Sequence, residues 1–77
     1  MIKIEKFNPQ IKEKYLIKVI QICPFTNIKE RTEVNAQIVD YFPIQGSKFN
    51  LCFCYVSNYG LDCYVSFETV EIIKKVG

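Results

Sequence analysis

The chain has no histidine in 77 residues, and that absence closes off most of the chemistry a small protein performs near neutral pH. Histidine is the usual proton carrier in acid-base catalysis, the usual base beside a cysteine nucleophile, and the commonest metal ligand. The carboxylates do not replace it. Glu33, Asp40, Asp62 and Glu68 are scattered over expected polar faces and strand ends rather than paired for a cleft, so no catalytic residue is assigned and an enzyme is not expected. Alanine occurs once, and helix-building composition is missing apart from the lysines and glutamates near the start. No apolar run reaches the roughly eighteen residues of a membrane span, and the N-terminus lacks an apolar core followed by a small-residue cleavage site. A soluble, cytoplasmic protein is the expectation. Internal repeats, low-complexity tracts and linkers are also absent.

What is present favours strands. Eleven Ile, seven Val, six Phe and five Tyr bring branched or aromatic side chains that sit well on a pleated surface. A chain of this length makes one domain that buries only about 60% of its unfolded surface, so each large apolar residue matters. The expected organisation is an N-terminal extension over residues 1–14, with a strand and a helical turn, followed by one small domain over residues 15–77. The net charge of +2 falls short of the basic excess of a dedicated nucleic-acid binder. Ile, Lys, Asn, Tyr and Phe are heavily used and have A/T-rich codons, which suggests an A/T-rich bacterium or one of its phages as the source.

The clearest element is a hairpin over residues 48–67. Phe49, Leu51, Phe53 and Tyr55 alternate with Lys48, Asn50, Cys52 and Cys54, and after Asn58-Tyr59-Gly60 the pattern resumes with Leu61, Cys63, Val65 and Phe67. Period two means strand. A three-residue loop with glycine in its left-handed third position sets Ser57 against Leu61, Tyr55 against Cys63 and Phe53 against Val65. Both apolar rows then share a face; a loop one residue shorter or longer would turn the second row to water.

Elsewhere the punctuation is simpler. Met1 to Lys6 reads as an edge strand, and Asn8-Pro9 as the start of a short helical turn. Tyr15 to Cys23 is a strand apolar on both faces except at Lys18 and Gln21, covered on each side for part of its length. Pro24 ends it, and Phe25 to Glu30 follows as a loop with Thr26-Asn27 as its turn signal. From Thr32 onward Val34, Ala36 and Ile38 point one way, and after Val39 both faces are apolar until Pro43. Residues 43–47 form a turn. Glu68-Thr69 makes a single 3₁₀ turn before a closing strand from Val70 to Val76.

Four cysteines in a short chain raise the question of disulfides. Cys52 and Cys54 lie on one strand face and the hairpin register sends Cys63 to the other, so the β-carbons cannot approach the roughly 4 Å a bridge requires. Reduced thiols are expected, with Cys52 and Cys54 facing outward. One C-x-C in mid-strand lacks the paired turn knuckles of a zinc site, so neither a metal nor any other cofactor is assigned.

Ser66-Phe67-Glu68-Thr69-Val70-Glu71-Ile72-Ile73 resembles the end of an SH3-like barrel, where a polar single turn precedes a valine and a last strand rich in isoleucine. The order of elements from Tyr15 to Val76 is similar too. That resemblance implies a mainly β fold: a small five- to six-stranded SH3-like barrel with at most a short N-terminal helical turn, its long strand curving between two orthogonal sheets. There is no acidic run in the first loop, no tryptophan after the second strand and no proline before the 3₁₀ turn, so proline-rich peptide binding is not implied.

Two functions are compatible with such a fold. The first is a non-catalytic protein-binding module whose partner-binding aromatics are Phe25, Tyr41, Phe42, Tyr59 and Tyr64. From an A/T-rich phage or mobile element, it would dock on a host protein and block it. The alternative is a nucleic-acid-binding barrel with Lys12, Lys14, Lys18 and Lys48 on phosphates and aromatics on bases. Homodimerisation through edge strands at Ile2, Ile4 or the last strand is a separate expectation.

Overall fold

The computed structural model describes residues 1–40 and 50–77. Five strands follow in chain order: β1 (Lys14–Ile22), β2 (Lys29–Asp40), β3 (Leu51–Val56), β4 (Asp62–Val65) and β5 (Glu71–Val76), with single 3₁₀ turns at Ile4–Lys6 and Phe67–Thr69. All pairings are antiparallel, in the spatial order β4-β3-β2-β1-β5. The protein is mainly β, as expected. The sheet is open: no ladder joins β4 to β5 among the described residues.

The β3–β4 hairpin has the register its loop dictates. Phe53 lies opposite Val65, Tyr55 opposite Cys63, and Ser57 N–H donates to the Leu61 carbonyl over 2.8 Å. Gly60 has φ +79°, the left-handed region where a β-carbon adds strain, and its N–H closes the turn on the Ser57 carbonyl at 3.0 Å. The segment before Asn50, including Lys48 and Phe49, lies outside the described residues.

β2 pairs with β1 from Lys29 to Gln37, but with β3 only from Gln37 to Asp40. One long strand is therefore divided between two partners, with Gln37 common to both ladders. This permits the hairpin tip to reach β1: the Asn58 N–H donates to Gln21 Oε1 at 3.1 Å, across 37 positions of sequence. Apolar residues from every strand meet inside the fold. Tyr15, Ile17, Val19, Ala36, Ile38, Phe53, Tyr55 and Ile72 are buried in one cluster, joined by Phe7 and Phe67, with Cys63 and Val65 of β4 packed against it.

The N-terminal segment differs from its reading in detail. Instead of an edge strand it makes one bridge, Ile2 to Ile72, and the helical turn falls at Ile4–Lys6 rather than after Asn8-Pro9. Phe7 explains the change. Its ring inserts into the core with edge-on contacts to Tyr15 at 5.2 Å and Phe67 at 5.0 Å, so the chain turns inward before Asn8. A second turn, closed by Glu13 N–H on the Gln10 carbonyl, then delivers it to β1. The loop after β1 is also shorter than expected. Asn27 takes a left-handed φ of 59° and donates its N–H to the Cys23 carbonyl at 2.8 Å, so the ladder restarts at Lys29 instead of Thr32.

No helix among the described residues is long and apolar enough to cross a membrane.

Candidate functional site

β1 ends at Ile22, and the next residue begins the loop. Cys23 N–H donates to the Ile28 carbonyl at 3.0 Å, which closes the loop and holds the cysteine at its mouth. Pro24 then turns the chain so that the following amides face back. The half-buried Cys23 sulfur lies near the Thr26 hydroxyl, the Phe25 and Thr26 N–H groups and the Tyr59 hydroxyl of the hairpin tip, all potential donors to it. Donors stabilise a thiolate more than a thiol. The Thr26 hydroxyl is the largest of these influences, and together they lower the Cys23 pKa from 9.0 to about 7. The same contact raises the pKa of Tyr59.

Gln21, two residues earlier along the chain, grips the adjacent tip residue Asn58. Its side chain is buried and its Nε2 has no partner among the described residues. The Gln21 side chain thus ties the end of β1 to the hairpin tip, where Tyr59 lies beside Cys23. Loop and tip become one surface. It is strongly apolar: Phe25 is 88% exposed, Ile28 58% and Leu61 59%, with Ile22 and Tyr59 also exposed.

The five aromatics named from the sequence are distributed unevenly. The Phe25 backbone and the Tyr59 hydroxyl both lie near the Cys23 sulfur, and both rings are exposed. Tyr64 is on the outer face of β4, opposite Cys54, away from that junction. Tyr41 and Phe42 lie outside the described residues. Of the lysines, Lys14 and Lys18 alternate with Leu16 on the outer face of β1, Lys12 occupies the preceding turn with φ 74°, and Lys48 lies outside the described residues. Glu33, Asp40, Asp62 and Glu68 sit on separate stretches of the fold. No group of three potential metal ligands occurs among the described residues.

All four cysteines are free, and the two on the outward face of β3 differ in exposure. Cys54 is half-buried on the face away from the core, whereas Cys52 is only 2% exposed. Burial, and then the neighbouring Cys54, push the Cys52 thiol up. Cys52 is accordingly inert. The distinctive thiol is Cys23, which the sequence marks only as the end of a strand before Pro24. The readable signal was Cys23-Pro24 followed by Thr26: a proline turn with a hydroxyl three residues on. The Tyr59 contact, from a distant hairpin, had no local signature.

A measurable consequence follows for pH. Cys23 is deprotonated more readily folded than unfolded, so it contributes stability that is present above its unfolded pKa and lost as pH falls through about 7. The melting midpoint of the wild type is expected to rise between pH 7 and 9 relative to Cys23→Ser. In the same window iodoacetamide should alkylate Cys23 first and Cys52 last, read by peptide mass. Parallel melting curves for the two proteins, or faster labelling of Cys52, would contradict this ordering.

Comparison with known protein families, with curated proteins and with solved structures found no match to this chain.

Proposed function

We propose that this chain is a non-catalytic protein-binding module of SH3-like build, docking through the end of the sheet where the loop after β1 meets the β3–β4 tip. The observation carrying this reading is the concentration of exposed apolar side chains there, Phe25 above all, on two loops joined by the Gln21–Asn58 hydrogen bond. Isolated exposed apolar residues are ordinary, whereas a contiguous patch on a braced scaffold is the usual form of an interaction surface. Bracing also lowers the entropy lost on binding. Phe25 and Tyr59 are the anchors, with Ile28 and Leu61 around them. The SH3-like assignment is supported by the strand order β4-β3-β2-β1-β5, by the long β2 shared between two partners, and by the 3₁₀ turn at Phe67–Thr69 before the last strand. In a phage or mobile element such a module acts by occupying a surface of a host protein.

Affinity capture from cells of the source organism tests the reading. The double variant Phe25→Ala, Tyr59→Ala is expected to keep the wild-type circular dichroism and lose its specific partner, while Tyr64→Ala retains it. Truncating two anchors of this kind typically costs at least about 2 kcal/mol each, enough to empty the bait. Equal recovery by wild type and the folded double variant would refute the surface.

A further inference from the structure

Among the described residues, several strand edges carry backbone groups that no neighbouring strand uses, and all but one of these are guarded. On β2 the free edge belongs to Lys29, Arg31, Glu33 and Asn35, because β3 joins only at Gln37; three of those four residues are charged. The outer edge of β5 receives Ile2, whose N–H donates to the Ile72 carbonyl at 2.7 Å, and further along it presents Lys75. The outer edge of β4 is four residues long and starts with Asp62. Charge, shortness and cover are the ordinary defences of an edge against strand addition.

The exception is the last half of β1. β5 pairs with β1 only as far as Lys18, whereas β2 accompanies it to Ile22. Antiparallel ladders alternate, so Val19 and Gln21 direct their N–H and C=O groups to β2 while Ile20 and Ile22 direct theirs to the side that β5 has left. Among the described residues nothing pairs with those groups. Ile20 is 59% exposed and Ile22 53%, and no charged residue occupies either position. An open cleft of about 290 Å³ runs beside this edge, with Lys18 and Arg31 balanced by Glu68 and Glu71 along its walls.

We propose that this edge pairs with the same edge of a second copy of the chain. An antiparallel two-fold axis at Gln21 sets Ile20 of each protomer opposite Ile22 of the other. Every free N–H then meets a free C=O, and the four isoleucines form cross-strand pairs on one face. The edge is self-complementary in spacing, in polarity and in side-chain type, and the balanced charges of the cleft do not repel an identical copy. Its shortness sets the strength. Two strand ends bury an area at the low end of specific interfaces, under about 1,200 Å² in total, which corresponds to a weak and reversible dimer. The dimer edge adjoins the partner surface at Ile22, but the anchors Phe25 and Tyr59 do not enter the pairing.

Sedimentation velocity of the full chain from about 10 µM to about 1 mM, a span suited to small interfaces, is the test. The wild type should move from monomer toward dimer across that span. Over the same concentrations the Ile20 and Ile22 amides should gain protection from hydrogen exchange, a readout that needs no variant. Ile22→Pro deletes a donor that β2 does not use, and Ile20→Lys places charge on the bare edge; both should remain folded by circular dichroism and stay monomeric. A wild type monomeric throughout, or amides unprotected in the dimer, would overturn the proposal. So would protection of those amides only on addition of a different chain, which would give the edge to that chain.

Discussion

Phe53→Ala should leave little folded protein at 37 °C. Phe53 is fully buried at the point where the elements converge, with ring centroids at 4.8 Å from Phe67, 5.9 Å from Tyr15 and 6.0 Å from Phe7. These partners come from the turn before β5, from β1 and from the N-terminal segment, so one ring joins pieces widely separated in sequence. Truncating a buried phenylalanine costs about 3–5 kcal/mol through lost transfer energy and the cavity left behind. A domain of this length has a total of about 4–12 kcal/mol. Urea denaturation will show the change as a lower midpoint or the absence of a folded baseline. Phe53→Leu, which retains most of the volume, is expected to lose less than half as much. A Phe53→Ala protein within about 1 kcal/mol of wild type would mean that the aromatic cluster does not hold the fold together.

The difference between what the sequence reveals and what it conceals has a physical basis here. Where a side chain's orientation follows from its immediate neighbours, the reading is accurate: the alternation of Phe53 and Tyr55 with Cys52 and Cys54, the Gly60 turn, the inward row Val34-Ala36-Ile38 and the turn at Glu68-Thr69 all depend on contacts a few residues away. Phe7 is different. It stands in a polar, lysine-rich segment, and its burial depends on a hole between Tyr15 and Phe67 that exists only after the strands have assembled. Period two likewise places Cys52 on the outward side of β3, but its 2% exposure depends on cover that the alternation does not show. The same holds for the candidate site. Phe25 and Tyr59 can be named as aromatics in turns, yet the approach of the hairpin tip to the loop after β1 depends on β2 sharing its length between β1 and β3. Closure of a barrel is a property of all five strands, and local pattern sets no limit on the gap between the first and last.

Deletion of Gly60 is expected to abolish the native fold, while Gly60→Ala should only weaken it. The substitution leaves the loop at three residues, and an added β-carbon meets nothing within 4 Å. Its cost is then the conformational strain of an alanine at φ +79°, about 1 kcal/mol. The deletion acts on the register instead. With Asn58-Tyr59 as the whole loop, β4 advances by one residue against β3, and its side chains exchange faces. Cys63 and Val65, which pack on the core, would move to solvent, and Asp62 and Tyr64 would point inward. Placing an unpaired carboxylate among apolar side chains costs several kcal/mol even after its pKa adjusts, and the exposure of Cys63 and Val65 to water adds to that. The sum is comparable with the entire stability of the domain. Circular dichroism and amide exchange will separate the two variants: Gly60→Ala should retain protected amides in β3 and β4, and the deletion should retain none. A deletion variant with native protection at Phe53 and Tyr55 would show that tertiary packing, and not loop length, sets the pairing of this hairpin.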